Sequence, residues 1–265
     1  MNPFSETRHI TIELSNLCNY SHMHKKCPAF TRTDTKILSS AIVYNILDVL
    51  GKYKYGLGRS IAFYLYSDSL NDPRLFKFIE YAAKKCPDAD VIIGSNGWYF
   101  NETIAEELYK SGVTYILLTA YTNTELKRFD VIRKTVSAKL AERYPRCSFS
   151  IRNRRRLDSR LGMTGKTGPC YAPLTEILIA PDGRLRLCCL DVNQTEQFEN
   201  ISGNMFEQVL LNNYDRLKNL RDNLIKGTRS LQLCQNCSFV NRMRNMYIRK
   251  RDIRPLRSFL RKFAT

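Results

Sequence analysis

Cysteines and histidines are the residues of this chain best suited to metal chemistry, and several of them fall into two groups. In the first group, eight residues separate Cys18 from Cys27, and His22 and His24 lie between them. Thiolates and neutral imidazoles are the donors that bind zinc and iron–sulfur clusters. This segment therefore predicts a zinc ion or an iron–sulfur cluster held by one short loop.

The second group lies in the C-terminal half of the chain. Cys170 and Cys188 precede Cys234 and Cys237, and two residues separate the members of this last pair. Four thiolates complete a tetrahedral zinc site or saturate a 4Fe-4S cluster, and the spacing leaves both open. The chain has 9 cysteines, an odd number, and their grouping fits metal ligation in a reducing compartment better than a disulfide framework.

An alternation of strands and helices is expected to position these groups. Apolar runs predict strands at residues 10–14, 60–66, 90–94, 113–118 and 147–152. The predicted helices run from a cap at Thr33 or Asp34 to Leu50, from Asn71-Asp72-Pro73 to Ala82, from Asn101 to Gly112, and from about 123 to 144. Such an alternation predicts a parallel sheet with its ligands at the carboxyl edge.

The pattern changes after residue 170. Two strand-like runs, 174–180 and 184–189, flank the turn sequence Pro181-Asp182-Gly183, which indicates a hairpin. A helix is predicted over residues 206–225, between the hairpin and the last cysteine pair. The second cysteine group is therefore expected in a small C-terminal unit beside an α/β core.

The strand at residues 10–14 and the loop after it resemble the start of the radical S-adenosylmethionine superfamily. There, a strand of the type IELTNxCN delivers three cysteines to a 4Fe-4S cluster with the spacing Cys-x3-Cys-x2-Cys. Here the spacing is broken, because eight residues separate Cys18 from Cys27: the family's first interval, counted from Cys18, ends at His22, and its last interval, counted back from Cys27, ends at His24. The resemblance implies a cluster with two thiolates and one imidazole, from His24, which keeps the two-residue spacing to Cys27, or from His22. A loop without a cluster is the alternative.

Two further stretches match this superfamily. Residues Tyr66-Ser67-Asp68-Ser69-Leu70 stand where the family has GGEPL, and Ser95-Asn96-Gly97 stands where it has TNG. The resemblance implies that Tyr66, Ser67 and Asp68 approach the methionine amino group of S-adenosylmethionine. It also implies that Ser95 and Asn96 approach the ribose.

The spacing of the second cysteine group resembles the Twitch domain, the short form of the SPASM domain. The resemblance implies an auxiliary 4Fe-4S cluster held by Cys170, Cys188, Cys234 and Cys237, which accepts an electron as a substrate C–H bond is oxidised. The implied architecture is a partial (β/α)6 TIM-like barrel over residues 1–160, a Twitch domain of β-hairpin plus helix over 161–240, and a basic tail over 241–265.

The implied function is that of a radical S-adenosylmethionine oxidoreductase. Reductive cleavage of the cofactor gives a 5′-deoxyadenosyl radical, which abstracts hydrogen from a polar, anionic or carbohydrate-like small molecule such as a sugar or cyclitol alcohol. A flavodoxin- or ferredoxin-type donor is the expected electron source. Arg152 is the candidate anchor for the substrate and Asp191 the candidate general base. Modification of a ribosomally made peptide is the enzymatic alternative.

The chain is strongly basic, with 42 Lys and Arg against 25 Asp and Glu, and its field attracts anions. The tail at 241–265 interleaves basic and aromatic residues, which predicts docking on the core, nucleic-acid binding or contact with an anionic membrane surface. A zinc-stabilised, basic RNA-binding protein is the non-enzymatic alternative. The sequence has no apolar leader and no run near the roughly 20 apolar residues that span a bilayer, so a cytoplasmic location is expected.

Overall fold

The computed structural model describes residues 2–21, 34–140, 142–153, 170–193, 196, 198–203, 205–235 and 237. Within them the strands are β1 (His9–Ile12), β2 (Ser60–Ala62), β3 (Asp90–Ser95), β4 (Tyr115–Ala120), β5 (Ser148–Asn153), β6 (Glu176–Ile179) and β7 (Leu185–Arg186). The helices are α1 (Ser40–Lys52), α2 (Leu75–Lys85), α3 (Glu102–Ser111), α4 (Asn123–Leu140), α5 (Ala172–Thr175), α6 (Phe206–Ile225) and α7 (Gln232–Gln235).

The described strands form one sheet in the order β5-β4-β3-β2-β1-β6-β7. Strands β1 to β6 pair in parallel, and β7 pairs antiparallel to β6. The predicted α/β class, the parallel sheet and the hairpin are therefore confirmed. Because β6 pairs with β1, the C-terminal part of the chain extends the same sheet across the boundary expected near residue 160.

The two faces of the sheet differ, because side chains alternate along each strand. One face packs against the helices and forms the main core, to which Ile61 of β2 and Ile116 of β4 belong. The other face carries a smaller buried cluster: Ala62, Ile92, Tyr115 and Leu117, with Tyr64 packed against it. We call this second face the inner face, and the site residues described below follow its carboxyl edge.

The first helix starts later than the sequence suggested. Its N-cap is Ser39, whose side chain accepts a hydrogen bond from the Ile42 N–H, so Asp34 is not the cap; the other candidate, Thr33, lies outside the described residues. The intervening chain is extended, because Ile37 forms a bridge with Ser15 and the Leu38 N–H donates to the Leu14 carbonyl. Backbone pairing with the β1 loop therefore overrides the helical spacing of the apolar residues.

The segment between β2 and α2 also differs from the prediction. Strand β2 ends at Ala62, and the Ser69 hydroxyl donates to the carbonyls of Phe63 and Gly94. A 3₁₀ turn at Ser69–Asn71 follows, so Asn71 and Pro73 do not start the helix. Instead the Asp72 carboxylate accepts from the Arg74 N–H at 2.9 Å and pairs with its guanidinium at 2.7 Å.

Strand β5 is followed by residues outside the described ranges, and so is α7. The tail at 241–265, with its three interpretations, lies entirely outside them. Among the helices that the structure describes, none is both long and apolar enough to cross a membrane.

Candidate functional site

The loop that carries Cys18 is bound to the loops after β2 and β3. The Leu17 carbonyl accepts from the Asp68 N–H at 3.3 Å, and the Asn19 side-chain oxygen accepts from the Asn96 amide at 2.7 Å. Cys18 itself is half-buried. The other predicted ligands of this loop (His22, His24 and Cys27) lie outside the described residues. The three loops at this edge therefore form one hydrogen-bonded group around Cys18.

Asp68 holds two of these loops together. Its carboxylate accepts from the Leu70 N–H at 2.9 Å, from the Ser95 hydroxyl at 2.9 and 3.0 Å, and from the Asn96 N–H at 2.6 Å. Burial raises the pKa of the Asp68 carboxyl, and these hydrogen bonds oppose the rise. The structure thus brings together Asp68, Ser95 and Asn96, which the sequence assigned to two separate loops.

The turn after β3 has a fixed shape. The Ser95 hydroxyl accepts from the Gly97 N–H, and the Asn96 side-chain oxygen accepts from the Trp98 N–H, both at 2.9 Å. Gly97 has a φ of 76°, and a Cβ there would lie 2.3 Å from Cζ of Phe129. Only glycine fits this position, because it tolerates the positive φ and lets the backbone of the turn pack directly against the Phe129 ring.

Glu13 supports the loop that contains Tyr66 and Ser67, and sequence reasoning gave it no role. It is fully buried directly after β1, and its Oε1 accepts from the backbone N–H groups of both residues at 3.2 Å. Its Oε2 lies 3.5 Å from a guanidinium nitrogen of Arg186, which is 5% exposed. A charged residue inside an apolar strand is the signal that could have found it.

The predicted auxiliary ligands lie near one another. Burial raises the pKa of the Cys188 thiol well above its usual value, and the neighbouring thiols of Cys189, Cys170 and Cys234 raise it further. Burial also raises the pKa of Cys234 to about 11, with contributions from Cys170 and Cys237. Each of the four predicted ligands therefore interacts with others of the set.

Arg229 stabilises the Cys-x2-Cys segment. Its guanidinium donates to the Cys234 carbonyl at 2.7 Å and to the Cys237 carbonyl at 3.3 Å, and its charge lowers the pKa of Cys170 and of Cys234 against the effect of burial. A nearby cation favours the thiolates that bind metals. Within the described part of the chain, no three His, Cys, Asp or Glu side chains meet tightly enough for a single metal ion.

The two predicted catalytic residues lie in different surroundings. Arg152 is half-buried on β5, and it alternates with Ile151, which packs on the main core, so its side chain lies on the inner face. Asp191 follows β7 and is fully buried. Its carboxylate accepts from the Leu187 N–H at 3.4 Å, and its own N–H donates to the Cys188 carbonyl at 3.1 Å. Asp191 thus braces the loop that carries Cys188.

Comparison with known proteins identifies the C-terminal region and the fold. Residues 170–238 match the family model of SPASM, an iron-sulfur cluster-binding domain. The crystal structure of BtrN in complex with AdoMet and 2-DOIA matches with a TM-score of 0.71 and 21% identity, covering 88% of this chain and 94% of that chain. A selenomethionine BtrN structure in an open conformation matches with a TM-score of 0.64 and 20% identity, covering 88% and 93%. No curated protein matches the sequence.

These matches bear on two predictions from the sequence. The prediction of a SPASM-type domain in the C-terminal region is confirmed by the family model. The partial-barrel fold with a C-terminal iron–sulfur domain is confirmed by a structural likeness that extends over most of both chains.

Proposed function

We propose that this chain is a radical S-adenosylmethionine enzyme that abstracts hydrogen from a polar small molecule. One observation carries the proposal: the Cys18 loop, the loop at residues 66–69 and the turn at residues 95–97 are hydrogen-bonded to one another at one edge of the sheet. The SPASM match in the same chain and the fold shared with BtrN, which was crystallised with AdoMet, support it.

The residues present fit the groups that this chemistry needs. Cys18, Cys27 and His24 would hold the first 4Fe-4S cluster, with His22 as the alternative imidazole. Cys170, Cys188, Cys234 and Cys237 would hold the auxiliary cluster, and the thiols of this set raise one another's pKa. When bound, the first cluster and S-adenosylmethionine supply the one-electron chemistry that removes a hydrogen atom from the substrate.

The protein's own side chains shape the cofactor site. Tyr66, Ser67 and Asn96 are the proposed neighbours of S-adenosylmethionine. The carboxylate of Asp68 already accepts hydrogen bonds from Ser95 and Asn96, so its main contribution is to fix the distance between the two loops. Positioning of this kind matters, because misplacement of reacting groups by about 1 Å can cost about a hundredfold in rate.

Arg152 is the proposed substrate anchor. A guanidinium on the inner face can bind a phosphate, a carboxylate or a pair of hydroxyl oxygens of a sugar or cyclitol.

Asp191 is the proposed base for the hydroxyl proton. Replacing Asp191 by Asn keeps an oxygen that can accept from the Leu187 N–H, so the variant tests the base separately from the loop. We expect a large loss of turnover with unchanged iron content.

Anaerobic reconstitution tests the proposed function. Iron and sulfide should be incorporated with a visible charge-transfer band, and the reduced protein should convert S-adenosylmethionine to 5′-deoxyadenosine and methionine. Binding of zinc alone, without cleavage, would support the RNA-binding alternative instead. Deuterium transfer into 5′-deoxyadenosine from a deuterated aminocyclitol or sugar, compared with transfer from a deuterated peptide, then separates the two substrate classes.

A further inference from the structure

Contacts on the inner face connect the loop after β2 with the loop after β7. We call residues 66–69 the cofactor loop and residues 187–191 the auxiliary loop. We propose that Tyr66 and Arg186 are positioning residues that couple these loops, so that filling the auxiliary site orders the cofactor loop. The inference rests on the proposed function, because it takes both loops to hold cofactors.

The first link is the phenol of Tyr66. Its hydroxyl donates a hydrogen bond to the Cys189 carbonyl, which is next to the predicted ligand Cys188. Burial raises the pKa of this phenol, and the thiols of Cys189 and Cys188 raise it further, so the group stays a protonated donor at neutral pH. The side chain of one loop therefore holds the backbone of the other.

The second link is an ion pair beneath the first. Glu13 accepts from the backbone N–H groups of Tyr66 and Ser67 through Oε1, and its Oε2 lies 3.5 Å from Arg186. The Arg186 guanidinium lies 5.3 Å from the centroid of the Tyr66 ring, close enough for a cation–π contact. Both side chains of the ion pair are almost completely buried, so solvent does not screen it.

Arg186 continues this path to the auxiliary ligands. One of its terminal nitrogens lies 3.5 Å from the Asp191 carbonyl. Asp191 in turn accepts from the Leu187 N–H and donates its own N–H to the Cys188 carbonyl. A continuous series of contacts thus joins the cofactor loop to Cys188, which is a predicted cluster ligand.

This arrangement has a geometric effect more than a stabilising one. A buried ion pair is weak evidence for stability, because desolvation offsets its attraction, and a separation of 3.5 Å is long for a strong charge-assisted hydrogen bond. The network does fix the position of the cofactor loop relative to Cys188. A cluster that draws in the Cys188 thiolate would therefore restrict the cofactor loop, and the cofactor would equally favour the ordered auxiliary loop.

Hydrogen exchange on the full-length chain tests this coupling. A Cys18→Ala background removes the first cluster, so iron and sulfide can then be loaded at the auxiliary site alone. Loading should slow exchange of the amides of Tyr66 and Ser67 by about fivefold or more, the usual scale of coupling between sites. Tyr66→Phe keeps the ring and removes the hydroxyl, and one lost hydrogen bond should reduce this protection by about threefold to tenfold.

Two further variants make the measurement specific. Tyr81→Phe is the matched control, because it also removes a phenol hydroxyl, which donates to Asp48 at 2.8 Å in an exposed contact between α2 and α1. It should leave the response unchanged. Arg186→Met alone would strand the buried Glu13 charge, so the double variant Glu13→Gln, Arg186→Met is used, in which neither charge is left unpaired. This double variant should bind iron but lose the response.

Metal analysis separates failure of the coupling from failure of the proposed function. If the auxiliary site binds iron and the cofactor loop responds equally in the parent and in Tyr66→Phe, the coupling is wrong and the proposed function stands. An equal loss in Tyr81→Phe also overturns the coupling. If the parent binds no iron at the auxiliary site, the proposed auxiliary cluster fails, and the coupling fails with it.

In protein carrying both clusters, the dissociation constant of S-adenosylmethionine should rise about threefold to tenfold in Tyr66→Phe.

Discussion

The two predicted cluster sites differ in how clearly their ligands and their supporting contacts can be recognised. At the first site, the ligand spacing departs from the family that it resembles, while hydrogen bonds join the loop of Cys18 to the loops after β2 and β3. At the second site, the residues that contain the four cysteines match a family model, and Arg229 supports the Cys-x2-Cys segment. Ligand chemistry is therefore easiest to recognise at the second site, and scaffold geometry at the first.

The comparison shows that ligands and their supports are encoded differently. Ligands appear in the sequence as spacings, because a metal or cluster needs donors of a given type close together. Supports such as Glu13, Asp68 and Arg186 act across different strands, and nothing in their local sequence pairs them.

The largest expected effect is at the first site. A cluster that binds S-adenosylmethionine needs three protein ligands so that one iron stays open, and Cys18 and Cys27 would supply two. His24→Ala should abolish cofactor cleavage and halve the iron content, and His22→Ala should have a milder effect. His24→Cys should restore a cluster of lower potential, because a thiolate donates more charge than an imidazole.

Iron analysis and electron paramagnetic resonance with ¹⁵N-labelled histidine measure this difference. Direct nitrogen coupling to the cluster is the expected signature of an imidazole ligand. Full cleavage activity in the double variant His22→Ala, His24→Ala would show that no histidine ligates the first cluster. The first site would then differ from the second only in having one protein ligand fewer than its family.

The second largest effect concerns the auxiliary site. Changing Cys170, Cys188, Cys234 and Cys237 to Ala should remove about half of the iron and leave a cluster that still cleaves the cofactor. Because burial raises the pKa of Cys234 to about 11 and that of Cys188 well above its usual value, these two thiols are protonated at neutral pH in the metal-free protein. Loading should therefore release protons and should be faster at pH 8 than at pH 6.5. Unchanged iron in the quadruple variant would contradict the assignment.

Much of the fold could be predicted from periodicity and turn chemistry. The cap at Asn101 and the C-terminal Gly112 of α3 are where the sequence indicated, and α6 covers the predicted residues Phe206–Ile225. The errors occurred where tertiary contacts replaced local signals. The spacing of Ile37 predicts a helix, but Ile37 pairs with Ser15, and Pro73 resembles a helix start although α2 begins at Leu75.

The candidate site could be predicted less completely. The loops at Tyr66 and Ser95 were located from a resemblance, and the parallel sheet brings both to one edge. The role of Asp68 as a connector depends on its position relative to Ser95 and Asn96, which are 27 and 28 residues away along the chain. The order of the strands in the sheet determines such contacts, so the local sequence pattern around each residue could not predict them.

The third prediction concerns the turn at residues 95–97, whose shape depends on Gly97. Gly97→Ala places a Cβ 2.3 Å from the Phe129 ring at a φ of 76°, so the strain and the overlap should together lower the free energy of unfolding by about 3 kcal/mol. Gly203→Ala is the matched control, since its φ is 54° and nothing lies within 4 Å. It should cost about 1 kcal/mol. Chemical denaturation of the metal-free proteins measures both, and equal losses would show that the packing on Phe129 does not matter.

The smallest expected effect is at the support of the auxiliary site. Arg229 donates to the carbonyls of Cys234 and Cys237, and its positive charge favours the thiolate form of Cys170 and Cys234. Adding an electron to a cluster increases its negative charge, so a nearby cation favours the reduced state. Arg229→Gln, which can still donate a hydrogen bond but has no charge, should lower the reduction potential of the auxiliary cluster by about 30 to 60 mV, or about 0.7 to 1.4 kcal/mol for one electron.

The control for this variant is Arg143→Gln, which removes the same charge from an exposed residue paired with Glu106. Its potential should stay that of the parent, because exposed charges are screened by solvent and salt. A spectroscopic redox titration measures the potential without any need for turnover. A merely structural Arg229 would lower the iron content and leave the potential of the remaining clusters unchanged, whereas a charge acting on the cluster shifts the potential at equal iron content. A shifted potential at equal iron content would show that the auxiliary site, like the first site, depends on a residue that is not one of its ligands.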